Sequence, residues 1–268
     1  MNERPHSQIP LTALLNRVKC GVFGTDEWLG LVEEFLVFRK VSEEFASVLA
    51  EHLRAIEVPT DVERMQAMAL TVLELKLDRG RARLQLADAC LHVVEALPEH
   101  DRWNGCAALF LQKAAELAGL LILDELVRLG NKAITPSRRL HLLIALQRVI
   151  RLAFQARVGL PEMSTRSVEN WIELALHESG PMSNDRAASS VSVRIGVAGA
   201  VILAFLRPQT FLHWWRALGQ PVQEALQSEV VLELEHIIQV RSDVPSHEAQ
   251  RLEVERSLAC LSKPLTPS

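Results

Sequence analysis

Two sets of residues in this chain have types and spacing that metal or acid–base chemistry can use. Asp88, His92 and Glu95 recur at i, i+4 and i+7, so a helix places a carboxylate, an imidazole and a second carboxylate on one face. Glu99, His100 and Asp101 follow just beyond. The wet face of an amphipathic helix gives the same spacing with no metal, and that is the simpler reading. The second set is Glu233-x-x-His236 in "ELEH", a motif that di-iron bundles use twice, with two further glutamates. A second copy is missing here, because "LAEH" puts Glu51 directly before His52.

Nucleophile and phosphate motifs give nothing stronger. The chain contains no G-x-S-x-G, no G-x-x-x-x-G-K-S/T, no G-x-G-x-x-G and no H-E-x-x-H. Its four cysteines, Cys20, Cys90, Cys106 and Cys260, are far apart and form no C-x-x-C, so neither a zinc ribbon nor a disulfide framework is indicated. Catalysis is unsupported, and no cofactor or metal is implied. A metal-binding or enzymatic role built on Asp88/His92 or Glu233/His236 stands as the remotest alternative.

Charge is the more informative pattern. Between Leu126 and Pro161 there is no acid, yet there are seven bases: Arg128, Lys132, Arg138, Arg139, Arg148, Arg151 and Arg157. A second acid-free span, 186–223, holds Arg186, Arg194, Arg207 and Arg216. Residues 24–63 carry ten acids against three bases, and 224–256 carry eight against three. The net charge of −4 therefore hides large opposed blocks. On a helix over 138–157, His141, Arg148, Arg151 and Gln155 fall within roughly 80° of one another, a narrow stripe on an otherwise apolar helix. Arginine there matches carboxylate or phosphate geometry. The plain alternative is neutralisation by the chain's own acidic segments. An acidic balance without aromatic interleaving argues against nucleic acid as a partner.

The elements that position these residues are helical throughout. Pro10 opens "LTALLNRVKC" and Gly21 closes it, while Thr25 and Ser42 precede the next two runs. Thr60 with Glu63 has the spacing of a capping box. Asp101, Thr135-Pro136, Thr165, Asp185, Thr210 and Ser246 mark further starts; Gly119, Gly130, Gly159 and Pro208 mark breaks. No stretch alternates with the period of a strand. The expectation is all-α, with about ten to twelve helices. Starts near 60, 101, 135, 165, 210 and 246 recur about every 37 residues, which suits an irregular α-solenoid of helix hairpins, with a multi-helix bundle as the competitor. The organisation read from this is N-terminal acidic helices over 1–59, central hairpins with the basic segment over 60–180, C-terminal helices over 181–262 and a tail over 263–268.

One stretch raises the question of a membrane. "IGVAGAVILAFL", 195–206, is apolar on every side, but as a helix it spans only roughly 18 Å, short of the roughly 30 Å of bilayer hydrocarbon. Such a helix belongs in the middle of a bundle. Trp214 and Trp215 follow it beside His213 and Arg216, a grouping that suits the core, a protein interface or a lipid headgroup layer. The N-terminal 20 residues mix Glu3 with Arg4 and lack the apolar centre of a secretory signal, so a cytoplasmic location is expected.

These observations converge on a non-catalytic scaffold or adaptor. It would dock a helical or acidic segment of another protein in a groove between helices, using His141, Arg148, Arg151 and Gln155 for charge and Trp214 or Trp215 as an anchor. A peripheral membrane protein using 200–218 is the alternative. Oligomeric state is not indicated.

Overall fold

The computed structural model describes residues 43–56, 61–77, 80–156, 158, 166–172, 186–218, 220–239 and 245–261. Among these the chain is all-α, with ten α-helices, a further helical run at 166–172, and no strand. The helices expected at 11–20 and 26–40, the caps at Thr25, Ser42, Thr60, Thr165 and Asp185, the break at Gly159, and Cys20 and Arg157 lie outside the described residues. The chain divides into two compact units, 1–98 with 105–118, and 99–104 with 119–268.

In the first unit, α1 (Glu43–Arg54) packs against α3 (Arg81–Ala96), and α2 (Val62–Glu74) lies between them in sequence. Ala46, Leu49, Ala50 and Leu53 are buried at i, i+3, i+4 and i+7, the apolar stripe of an amphipathic helix. α3 is buried more widely, through Leu86, Ala87, Cys90, Leu91, Val93 and Val94. At α2 the cap is Asp61, whose side chain accepts from the Arg64 backbone N–H at 3.1 Å. The unit also takes most of α4 (Asp101–Ala118), in which Lys113 is buried.

The second unit begins with the first turn of α4 and resumes at a 3-10 turn, Gly119–Ile122. Gly119 has φ +54°, a left-handed conformation that glycine adopts without steric penalty, and the α-helix breaks there as the sequence suggests. Then come α5 (Leu123–Lys132), α6 (Pro136–Gln155), α7 (Arg186–Leu206), α8 (Pro208–Ala217), α9 (Gln220–Ile238) and α10 (Pro245–Leu261). Thr135 and Pro136 open α6 as expected: the Thr135 hydroxyl accepts from the Arg138 N–H at 3.3 Å, and proline occupies the first turn. Thr210 and Ser246 are not caps, because α8 and α10 already start at Pro208 and Pro245.

Gly130 does not end α5 either. The helix continues to Lys132, and the missing side chain leaves room for the Trp171 ring, which a Cβ would meet at 2.1 Å. The apolar run 195–206 is the centre of this unit: α7 meets α6, α8, α9 and α10, and its residues from Ala200 to Phe205 are all buried. A solenoid confines contacts to sequence neighbours. Here α7 touches α6 before it and α8, α9 and α10 after it, contacts that a bundle and stacked helix hairpins both make.

Among the described residues, the stretch long and apolar enough to cross a membrane by length and composition is 101–132, and 56% of its apolar window is buried inside the protein.

Candidate functional site

The basic stripe of α6 forms one wall of a groove of about 470 Å³. Ile144, Gln147, Arg148, Arg151, Leu152 and Gln155 line it from α6, and Glu233 faces them from α9. α6 places these side chains together because Ile144, Arg148, Arg151 and Gln155 follow one another at intervals of four, three and four. The opposite face of α6 is buried through Leu142, Leu143, Leu146, Val149 and Ile150. Phe154 turns inward against Phe205 of α7, edge to face at 4.9 Å. These contacts fix the rotation of the helix and hence the direction of its arginines.

Two bonds cross the groove. Gln147 Nε2 donates to Glu233 Oε2 at 3.2 Å, and Arg151 Nη2 lies 2.6 Å from His236 Nε2. Arginine can only donate, so His236 accepts through an unprotonated Nε2 and the ring is neutral in this arrangement. Arg148 is exposed and has no ion-pair or hydrogen-bond partner among the described residues. The acidic C-terminal block does fold onto the basic segment, but its glutamate meets Gln147 and its histidine meets Arg151.

Elsewhere some of the basic residues have acids against them, while exposed Arg194 and Arg216 have no ion pair among the described residues. Arg128 pairs with Glu125 one turn away, and Arg207 with Glu169 at 2.6 Å. Arg138 is buried with Glu99 in its field; burial lowers its pKa and Glu99 opposes the shift.

The other expected residues are placed differently. Gln155 is exposed and lines the groove, whereas His141 is half-buried and does not. Burial pushes the His141 imidazole below its ordinary value, and the charges of Arg138 and Arg194 push the same way. Trp215 is 7% exposed and packs on Phe211 with ring centroids 5.9 Å apart, so it belongs to the core. Trp214 is half-buried, and neither tryptophan lines the groove. An anchoring role for that pair would therefore rest on Trp214.

Asp88 forms an ion pair with Arg54 through Oδ2, while His92 and Glu95 are exposed. Among the described residues no group of three or more His, Cys, Asp or Glu is placed to hold a metal ion.

Two features escaped the sequence reading. Glu99 Oε2 accepts from the backbone N–H groups of Ile134 and Thr135, at 2.9 and 2.7 Å, and from the Thr135 hydroxyl at 3.1 Å. It holds the start of α6 alongside the Thr135 cap, and no local sequence pattern signals it, because it lies 35 positions upstream of Ile134. Lys113, 1% exposed, donates to the Leu73 carbonyl at 3.0 Å, to the Leu75 carbonyl and to Glu116 Oε1 at 3.2 Å. The Cys90 thiol, buried within the field of this ammonium, is pushed up to about 12 by burial, with Lys113 opposing. A thiol held protonated in this way is a packing group and not a nucleophile.

Compared with known protein families, curated proteins and solved structures, the chain matches none.

Proposed function

We propose that this protein is a non-catalytic helical adaptor that captures an acidic segment of another protein in the groove between α6 and α9. The observation that carries the reading is Arg148, an exposed guanidinium on the groove wall with no carboxylate on it among the described residues. Beside it Arg151 is oriented by a neutral ring. With His236 neutral, Arg148, Arg151 and Glu233 leave the groove one positive charge in excess. Carboxylates brought against two guanidiniums form charge-assisted bonds, roughly twice as strong as neutral ones. Such a surface contributes steering and register as well as affinity.

Affinity purification with the full chain and with an Arg148→Glu/Arg151→Glu double variant tests the proposal. The double variant is expected to lose the partner while keeping its helical circular dichroism and thermal midpoint. A partner held equally by both proteins would remove the groove from the account. Glu233→Gln is expected to strengthen capture, since it removes an acid that lines the groove.

A further inference from the structure

We infer that His236 is a placeholder for a carboxylate of the partner on Arg151, and that the partner presents two acids with an apolar residue one helical turn away. The inference rests on the reading of the groove as an acidic-segment site and specifies its ligand and its competitor.

Glutamate meets several of the chain's other arginines, while exposed Arg194 and Arg216 have no ion pair among the described residues. Arg128 is met by Glu125, Arg207 by Glu169, Arg256 by Glu253, and Arg251 by Glu248 and Glu255. At the groove a glutamate stands on the facing wall, yet Glu233 is bonded by Gln147, and a neutral imidazole meets Arg151. A neutral acceptor orients a guanidinium without neutralising it, and a carboxylate displaces it with a gain in bond strength. Arg148, one turn earlier on the same face, has no described acceptor to displace.

The rest of the ligand follows from the order of the stripe. Ile144 is 38% exposed, one turn ahead of Arg148, and lines the same groove. An apolar side chain over Ile144 thus sits one turn from a carboxylate over Arg148, and a second carboxylate three residues on reaches Arg151. This is the anchor spacing of a helix laid along a groove.

Fluorescence anisotropy with the full chain decides the matter. The probe is a labelled peptide with a leucine one turn from two glutamates spaced three apart; the control peptide has both glutamates changed to glutamine. His236→Ala is expected to bind the probe about fivefold more tightly, because the competing acceptor is gone. His236→Glu is expected to bind at least about tenfold more weakly, because its own carboxylate then occupies Arg151. Replacing the leucine of the probe by alanine is expected to weaken binding about threefold. If both His236 variants bind as the unaltered chain does while Arg148→Glu/Arg151→Glu fails, the placeholder idea falls and the docking groove stands. If the unaltered chain binds probe and control equally, the groove reading falls and takes the placeholder with it.

Discussion

Lys113 and Arg151 are both cations on helices, and they are treated in opposite ways. Lys113, in the first unit, is sealed from solvent and meets three oxygens, two of them carbonyls at and just beyond the end of α2. Those carbonyls have no partner within their own helix, so the ammonium does the work of a C-terminal cap from a distant helix. Arg151, in the second unit, is half-exposed at an open groove and meets a neutral nitrogen. The first arrangement consumes a charge to complete the fold. The second keeps a charge in position and leaves it unneutralised. The difference separates a stabilising cation from one suited to recognition, and it rests on what sits opposite each charge.

Breaking the first arrangement gives the largest effect. Lys113→Met leaves the half-buried Leu73 and the buried Leu75 carbonyls without this donor, at roughly 1–3 kcal/mol for each unsatisfied buried group. Urea denaturation of this variant should show a loss of about 3 kcal/mol, and a loss under about 1 kcal/mol would mean that Lys113 is not a cap. Gly130→Ala comes next, since its Cβ meets Trp171 at 2.1 Å and the indole must move. Overpacking of this kind costs about 1–3 kcal/mol, and tryptophan fluorescence should shift with it.

The pH dependence sharpens the contrast from another side. His141 and His52 both have folded-state values lowered by burial, with Arg64 adding to the shift at His52. As pH falls through their ordinary value of 6.5, the unfolded chain takes up protons first, so stability present above that pH is lost below it. His141→Gln should show a smaller fall in urea midpoint between neutral and mildly acidic solution than the unaltered chain; an equal fall would assign the effect elsewhere. The smallest effect belongs to Asp88→Asn. Asp88 is 69% exposed opposite Arg54, and such a surface pair contributes at most about 1 kcal/mol, a limit that thermal unfolding can check.

What the sequence made legible was local. The start of α6 at Thr135-Pro136 and the break at Gly119 depend on residues within one turn of each other, so their types suffice to read them. The burial of 195–206 followed from apolar residues on every side. Gly130 was misread because a glycine that ends a helix and one that admits a tryptophan from 41 positions away look alike in one dimension. The stripe of Arg148, Arg151 and Gln155 was visible as periodicity, but its opposite wall was not. The pairing of α6 with Glu233 and His236 spans 86 and 85 positions, and no local pattern encodes it. The Trp214–Trp215 pair suits a core or an interface equally in sequence, and the packing of Trp215 on Phe211 places that residue in the core.

The carboxylate of Glu99 has a consequence for the order in which the chain assembles. It lies 35 positions upstream of Ile134, so during synthesis the acceptor is already outside the ribosome when the first turn of α6 emerges. Closing a loop of that length costs roughly 3 kcal/mol of chain entropy, which three bonds to one oxygen help to offset. A chain lacking this carboxylate would leave the start of α6 held by its own Thr135 cap alone.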